Sequence, residues 1–339
     1  MNGSRSTSSG IGRPGLPGAG RSTLPGAARS ALTVIAFGCL ACETRSPFGA
    51  EPVPVPVLFA PGVVSTDARE YGISFSADAR EAYFTRRARR GSPGIFVSRF
   101  EEGVWGEARP LPISIESAEE PFIDRTGTRL FFSARAPVAS WFDDGADNIW
   151  VATRQDGGWS EPVPLPGTVN ELALRGVDAS EWDPTDVERT GPVLLDGRTL
   201  LYSASVDPEW RSDLYVAYER DGLFVDTRPL SPRVNSQGDE SHPAVSPDGR
   251  LLVFQGYRGA DGLGEDDLYI AERFEHGFSS PRPLPAPINS PDNDGYPAFS
   301  PDGGHFFFAS DRGGDNGEWS IYYVDAAALT EPEGARPES

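Results

Sequence analysis

The chain has 339 residues, of which 50 are acidic and 30 basic, and its formal net charge is −20. All basic residues are arginines, so a P-loop lysine, a lysine Schiff base and a Ser–Lys dyad are excluded. The acidic balance argues against nucleic-acid binding, which needs a positive surface. With 38 glycines, 32 prolines and a hydrophobic content of 38%, the composition indicates a turn-rich, all-β globular chain.

Residues 1–42 have the pattern of a bacterial export signal. An arginine-bearing, acid-free segment precedes an apolar run from Ala31 to Ala41, which is shorter than the ~20 residues of a membrane-spanning helix. The four residues ending at Cys39 resemble a lipobox, so Cys39 is the predicted lipidation site, with Cys42 as the alternative. An ordinary secretory signal with incidental cysteines is the other interpretation. A Cys-x-x-Cys metal or redox site would lack a second ligand pair.

The chain after the signal divides into three predicted segments. Residues 43–55 are Pro-rich and predict a short tether. Residues 56–327 contain internal repeats and are predicted to form one folded domain. Residues 328–339 are predicted to be a disordered tail.

Five copies of one unit fill the predicted domain. Each copy has a tight turn, an apolar run that ends in an aromatic residue, and then a second short β-branched or aromatic run. Four copies continue with a Gly-containing turn, an aromatic residue and a Pro-Leu segment. The turn position recurs at 79, 127, 197, 249 and 303, a period of about 50 residues. We therefore predict an all-β propeller of five four-stranded antiparallel blades, with six as the alternative count.

The last copy lacks its fourth strand. The segment from Pro56 aligns with the segment from Arg282, which leads from the fourth copy into the fifth. We therefore predict that the N-terminal segment supplies the outer strand of the final blade and closes the ring, which removes an exposed sheet edge.

The repeat also resembles a known family. The Ser-Pro-Asp-Gly turns at Ser246 and Ser300, the Asp-Leu-Tyr strands at Asp213 and Asp267 and the Gly-Trp turn at Gly158 resemble the TolB-like propeller repeat. This is a WD-type repeat of the bacterial periplasm. The resemblance implies a propeller in the cell envelope, periplasmic or attached to the outer membrane.

The two ends of the predicted propeller differ in character. The Asp-Gly turns between strands one and two and the turns between strands three and four share one end, which we call the turn face. The loops between strands two and three and the connections between blades share the other end, the loop face. Segments predicted on the loop face hold 27 acidic residues and 12 arginines, a net charge of −15. Long loops on a rigid scaffold favour a binding role for this face.

Acidic residues recur near the start of each predicted innermost strand, where they would surround the mouth of the central channel. These are Glu70, Glu120, Glu188, Glu240 and Asp294. They predict either a site for a cation or basic group, or carboxylates that accept N–H bonds from nearby loops. His242 is the one histidine predicted near this mouth.

Four tryptophans fall in loops predicted on the loop face: Trp141, Trp182, Trp210 and Trp319. Aromatic side chains beside carboxylates suit sugar stacking or a protein-binding hot spot. Packing of the loops onto the blades is the alternative.

No catalytic or metal-binding motif is present in the sequence. His-Glu-x-x-His and Gly-x-Ser-x-Gly are both missing. The sequence favours a non-catalytic, monomeric lipoprotein, without cofactor or metal, that contacts the membrane through its lipid only and binds an envelope protein or glycan. The alternative is a glycosidase-type enzyme that uses channel-mouth carboxylates, for which Glu120, Glu240 and Asp294 are candidates.

Overall fold

The structure is a computed structural model, and it describes residues 46–49, 51–136, 146–171, 187–206, 211–259, 262–313 and 318–330. The described chain forms five antiparallel sheets that are the blades of a β-propeller. The predicted all-β fold and the count of five blades are confirmed. Two short 3-10 helices, Val169–Glu171 and Ala326–Leu329, accompany the strands.

The strands follow one another blade by blade, except that β1 (Val57–Leu58) belongs to blade five. Blade one contains β2 (Arg69–Phe75), β3 (Glu81–Arg87), β4 (Gly94–Glu101), β5 (Val104–Trp105) and β6 (Arg109–Pro110). Blade two contains β7 (Ala118–Ile123), β8 (Arg129–Ala134), β9 (Asn148–Gln155), β10 (Gly158–Trp159) and β11 (Val163–Pro164). Blade three contains β12 (Arg189–Leu194), β13 (Thr199–Ala204), β14 (Asp213–Arg220) and β15 (Leu223–Pro229).

The remaining strands complete the ring. Blade four contains β16 (Asp239–Val245), β17 (Leu251–Tyr257), β18 (Asp267–Phe274), β19 (Gly277–Phe278) and β20 (Arg282–Pro283). Blade five contains β21 (Asp294–Phe299), β22 (His305–Ser310) and β23 (Ser320–Asp325), with β1 as its outer strand. In blades one, two and four two short strands share the outer position, since both pair with the third strand.

Side-chain hydrogen bonds explain why the repeated turn forms. In blade four the Ser246 hydroxyl donates to the Asp248 carboxylate at 2.6 Å and accepts from the Leu251 N–H at 2.9 Å. Gly249 has a φ of +73°, a left-handed conformation that favours glycine. Ser76 and Ser300 make the corresponding bonds in blades one and five.

The core lies between neighbouring blades and is built mainly by the second strand of each. The strand centres are fully buried, as at Phe131, Tyr202, Phe254 and Phe307. Burying aromatic and branched side chains on both faces of a strand explains the continuous apolar runs of the sequence.

Buried asparagines fix the connections between blades. The Asn170 side chain accepts a hydrogen bond from the Ile149 N–H at 3.0 Å and donates to the Ile149 carbonyl at 2.9 Å. The same pair of bonds joins Asn235 to Leu214 and Asn289 to Leu268. Each asparagine satisfies the N–H and the carbonyl of one residue in the third strand of its blade. It therefore holds the connection between two blades in place on the loop-face side.

The ring is closed by the N-terminal strand, as predicted. Val57 pairs with Tyr323 and Leu58 with Tyr322, so β1 is the outer strand of blade five. Blade five therefore combines one strand from the start of the described chain with three strands from its end.

Both predicted flanking segments contribute buried side chains. Phe48, in the predicted tether, is 3% exposed, and Leu329, in the predicted tail, is fully buried. The ordered chain thus includes residues on both sides of the predicted domain limits.

Candidate functional site

A β-bulge occurs at the same place in all five innermost strands, β2, β7, β12, β16 and β21. The pairing with the second strand shifts register there in every blade. The first residue of each bulge has a positive φ: Gly72 (57°), Glu120 (55°), Gly191 (61°), His242 (48°) and Tyr296 (50°). The bulges line the central channel, so they turn these residues toward its axis.

Three of the five bulge positions carry side chains in a conformation that favours glycine. Left-handed backbone at Glu120, His242 and Tyr296 costs of order 1–3 kcal/mol each and is concentrated at functional sites in proteins. These three residues meet in the channel. Together with Tyr71, Glu119 and Trp319 they form what we call the channel cluster.

A bond between Glu120 and His242 spans the channel from blade two to blade four. His242 Nε2 lies 2.9 Å from Glu120 Oε1. The other carboxylate oxygen, Oε2, accepts hydrogen bonds from the Gly191 N–H at 2.6 Å and the Ser133 hydroxyl at 3.1 Å. Both oxygens of Glu120 are therefore engaged inside the protein, and they link three blades.

Each member of the Glu120–His242 pair favours the charged form of the other. Burial by itself would raise the pKa of Glu120, but the His242 charge, the hydrogen bond from His242 and the bonds from Gly191 and Ser133 lower the pKa overall. Burial would lower the pKa of His242, but the charge and hydrogen bond of Glu120 raise the pKa overall. The contact across the channel thus stabilises the imidazolium form of His242 and the carboxylate form of Glu120.

Aromatic rings surround this pair on the side of blades five and one. The Tyr296 ring centroid lies 4.2 Å from that of His242, 4.6 Å from that of Tyr71 and 5.3 Å from that of Trp319. The Arg69 guanidinium lies 5.4 Å from the ring centroids of both Tyr71 and Trp319. These rings already hold one cation by cation–π contact.

Glu119 is the half-buried carboxyl of the cluster. It accepts a hydrogen bond from the Tyr71 hydroxyl at 2.5 Å. Burial, followed by repulsion from the Glu120 charge, raises the pKa of Glu119 to about 7. This carboxyl therefore exchanges its proton near neutral pH, which is the property required of a general acid or base.

Two further acids near the cluster also have raised pKa values. Burial raises the pKa of Asp147 to about 6, with Glu188 and Glu120 adding to the effect and Arg135 opposing it. Burial also raises the pKa of Asp266. Glu119, Asp147 and Asp266 at the loop-face end of the channel are therefore costly to charge in the free protein, chiefly because they are buried.

The channel beyond the cluster is narrow and mostly apolar. A cavity of ≈ 100 Å³ lies between the five bulges, with Phe122, Val193 and Val245 among its walls. A second cavity of ≈ 180 Å³ continues toward the turn face, where Pro247 and Pro301 form part of its rim. Asp124, Arg125 and Ser300 also line this second cavity, so it is the middle of the channel that is mostly apolar.

Three of the predicted mouth acids occupy one equivalent position and have internal partners. Glu70 accepts bonds from the Thr66 N–H at 3.1 Å and from Arg86 at 2.9 Å. Glu240 uses Ser236 and Arg258, and Asp294 uses Ser290 and Arg312, in the same way. These fully buried carboxylates fix the loop that enters each innermost strand.

The other two predicted acids lie elsewhere. Glu188 is 42% exposed and forms a 3.5 Å ion pair with Arg135. Glu120 lies two residues further along its strand than the equivalent position in blade two, which Ala118 occupies. The five acids therefore do not form one ring, because the repeat register differs from the spacing of acids in the sequence.

The remaining predicted residues divide between the site and the undescribed chain. Structure places His242 and Trp319 together in the channel cluster. Trp141, Trp182, Trp210, Cys39 and Cys42 lie outside the described residues.

Sequence reasoning missed Tyr71, Glu119 and Tyr296. A signal for the bulge was present, since a proline follows the bulge residue in four blades, at Pro121, Pro192, Pro243 and Pro297. The variable residue before each proline marks the channel-facing position.

The described residues contain neither a cluster of metal ligands nor a membrane-spanning helix. No group of three or more His, Cys, Asp or Glu side chains in the described part of the chain is arranged to hold a metal ion. The helices among the same residues are too short or too polar to cross a bilayer.

Similarity to known proteins is confined to structure. No protein-family model and no curated protein matches the chain. TolB from Acinetobacter baumannii is 14% identical with a TM-score of 0.45, over 76% of this chain and 54% of that one. The GH43 endo-arabinanase from Bacillus licheniformis is 12% identical with a TM-score of 0.48, over 78% and 96% of the two chains. A puromycin-hydrolyzing peptidase from Mycobacterium tuberculosis is 16% identical with a TM-score of 0.40, over 81% and 39%.

These likenesses concern the propeller architecture alone. The chain spans about half of the Acinetobacter protein and less than half of the mycobacterial peptidase. One architecture can host many unrelated functions, so these likenesses do not indicate what this chain does.

Proposed function

We propose that the protein is a lipid-anchored protein of the bacterial cell envelope whose loop face binds a protein partner that presents basic groups. The export-type sequence of residues 1–42 and the cysteines at its end support the anchoring. The excess of carboxylates at the loop-face end of the channel supports the binding role.

The raised pKa values of Glu119, Asp147 and Asp266 are the observation that carries the binding proposal. An arriving lysine or arginine side chain would favour the charged form of each carboxyl, so part of the electrostatic cost present in the free protein would be relieved on binding. The buried rings of Tyr71 and Trp319 already contact the Arg69 guanidinium beside these acids, so the surroundings of the acids suit a cationic group.

The state of Glu120 favours binding over catalysis. Its two oxygens are engaged by His242, Gly191 and Ser133, so this carboxylate shapes the site and is not free to act on a substrate. Contacts from three blades hold the Glu120 side chain in place before any partner binds, and a preformed site of this kind is suitable for recognition.

Neutralising acids on one face at a time tests the proposal. The double variant Glu119→Gln/Asp266→Asn replaces two acids at the loop face, and Glu101→Gln/Asp156→Asn replaces two acids at the turn face. Each purified protein is immobilised, exposed to an envelope extract and analysed by quantitative mass spectrometry. We expect the loop-face variant alone to lose basic partners, and wild-type capture to fall as salt is raised.

Two results would contradict this proposal. One is equal capture by the two variants, with both folded by circular dichroism. The other is capture that does not depend on salt. A Trp182→Ala variant is a further test of the loop face, and we expect it to weaken capture without unfolding the protein.

Glu119 also supports a second candidate function, a glycan-active enzyme. A carboxyl that keeps its proton at neutral pH is what a glycosidase needs as general acid, and the pKa of Glu119 is raised to about 7. Turnover on a panel of polysaccharides, abolished by Glu119→Gln, would establish it. Absence of turnover on every polysaccharide would leave the binding function.

A further inference from the structure

The N-terminal segment is anchored to the propeller before it reaches the first strand. Phe48 packs between blades five and one, with ring centroids 5.1 Å from His305, 5.2 Å from Phe75 and 5.5 Å from Phe307. The Trp105 indole N–H donates a hydrogen bond to the Pro47 carbonyl at 3.0 Å. These contacts fix the point at which the chain enters the folded domain.

The entry point lies on the turn face. Phe75 is the last residue of β2 and His305 is the first residue of β22, so both flank strand one-to-two turns. Val53 exchanges hydrogen bonds with Asp325, the last residue of β23, through the Asp325 carboxylate at 3.0 Å and backbone N–H at 2.8 Å. From there β1 runs along β23 toward the loop face.

Little chain separates this entry point from the cysteines. Ser46 is seven residues after Cys39 and four after Cys42. Fully extended, these segments span at most ~25 Å and ~14 Å, at up to ~3.6 Å per residue. The seven-residue β2 is itself ~23 Å long, at ~3.3 Å per residue. The loop face therefore lies beyond the reach of a lipid at Cys42, and a lipid at Cys39 would reach it only with its segment fully extended along the side of the blade.

We infer that the turn face is a membrane-facing surface whose partner is the lipid bilayer, so that the loop face is directed away from the membrane. The inference rests on the proposed lipid anchor. It explains how a lipid attached at either cysteine would leave the channel cluster accessible to a partner.

The charges of the two faces agree with this orientation. The five strand one-to-two turns hold four arginines and five aspartates, and the four strand three-to-four turns add Glu102, Asp156, Asp221 and Glu275, so the turn face has a net charge of −5. The segments that the sequence predicts on the loop face have a net charge of −15, which anionic lipids would repel more strongly. Electrostatics therefore favours the same face as the short anchor.

Depth-dependent quenching tests the orientation. The full chain is expressed with its export signal, purified in lipidated form and placed in vesicles of phosphatidylcholine and phosphatidylglycerol that contain a doxyl-labelled lipid. The cysteine that is not lipidated is replaced by serine. A fluorophore is then attached at Glu101→Cys on the turn face or at Asp67→Cys on the loop face. We expect several-fold stronger quenching at Glu101→Cys.

A Phe48→Ala variant is the matched control for the docked segment. It lengthens the free chain without changing the lipid, so we expect the difference in quenching to shrink. If this variant does not fold, Trp105→Phe removes the indole N–H that holds Pro47, keeps an aromatic ring at the position, and should act in the same direction.

The mass of the purified protein distinguishes failure of the proposed anchor from failure of the proposed orientation. A mass without lipid would overturn the proposed anchor and this orientation with it. A lipidated protein with equal quenching at both positions, or stronger quenching at Asp67→Cys, would overturn the orientation and leave the anchor intact.

Discussion

Glu120 and His242 show how a few residues define the centre of this propeller. Both have left-handed backbone, and they are 122 residues apart in sequence but 2.9 Å apart in space. A buried ion pair compensates its desolvation only when its remaining polar atoms are bonded, as the Glu120 oxygens are here. The pair is therefore a sensitive point for stability.

Replacing Glu120 by glutamine should destabilise the protein. The variant leaves His242 without its counter-charge, so we expect the free energy of unfolding to fall by ~1–3 kcal/mol. The loss is not larger because His242 can release its proton and become neutral. The pKa of His242, followed by NMR, should fall. Glu188→Gln, an exposed acid, is the control and should change stability by less than ~0.5 kcal/mol. Equal urea midpoints for the two variants would contradict the prediction.

Glu119 should make the protein less stable as pH rises. Its pKa is raised from 4.5 to about 7, so its contribution is complete below pH 4.5 and is lost as pH rises to about 7. His242, whose pKa is also raised, loses its contribution as pH rises above 6.5. Glu120, whose pKa is lowered, loses its contribution only as pH falls below 4.5.

The variant Glu119→Gln should remove part of this dependence. Between pH 5 and pH 8 we expect the wild-type free energy of unfolding to fall by ~2–3 kcal/mol more than that of the variant, since one pKa unit corresponds to about 1.4 kcal/mol. Chemical denaturation at several pH values measures this difference. Parallel curves for the two proteins would show that Glu119 has no such role.

At the scale of strands, the bulge of each innermost strand decides which side chains meet in the channel. Gly191 shows the constraint, because a Cβ there would lie 2.9 Å from the His242 Cα atom and 3.2 Å from the Pro243 Cδ atom. Gly197, in a turn, also has a positive φ but has open space around it. Substitutions at these two glycines therefore distinguish the cost of left-handed backbone from the cost of close packing.

Alanine at each of these glycines should therefore have different costs. Gly197→Ala carries mainly the left-handed backbone penalty of ~1 kcal/mol. Gly191→Ala adds overpacking against blade four, typically ~1–3 kcal/mol more. Thermal and urea unfolding of the two variants measure the costs. Equal losses would mean that blade four moves aside without strain.

The strands could be predicted from the sequence because their signals are local and repeated. Turns such as that at Ser246 are stabilised by residues two to five positions apart, so five copies of the pattern were enough to identify the blades. The channel cluster could not be predicted this way. Glu120 resembles Glu70 and Glu240 in residue type, but the bulge gives it a different position.

At the scale of the whole molecule, stability depends on closing the ring. Without β1, the edge of β23 would be open to pairing with other chains. A chain starting at residue 60 also lacks Phe48 and Phe59, two buried rings of the core between blades five and one.

A comparison of two truncated proteins tests ring closure. We expect the chain starting at residue 60 to lose more than ~3 kcal/mol of stability, since a buried Phe is worth about that much, and to self-associate as its concentration increases. A chain starting at residue 46 keeps these contacts and should remain monomeric. Light scattering and thermal unfolding give the result. A monomeric, fully stable chain from residue 60 would show that β1 is dispensable.

The hydrogen bond between Val53 and Asp325 joins residues 272 positions apart. Synthesis proceeds from the N-terminus, so the outer strand of blade five is among the first parts of the domain to be made and its partner is the last. Blades one to four can form as they emerge, whereas β1 must wait for the whole domain. Final closure therefore waits until β23 has been made, and it carries the entropy cost of bringing together strands that are far apart in the sequence.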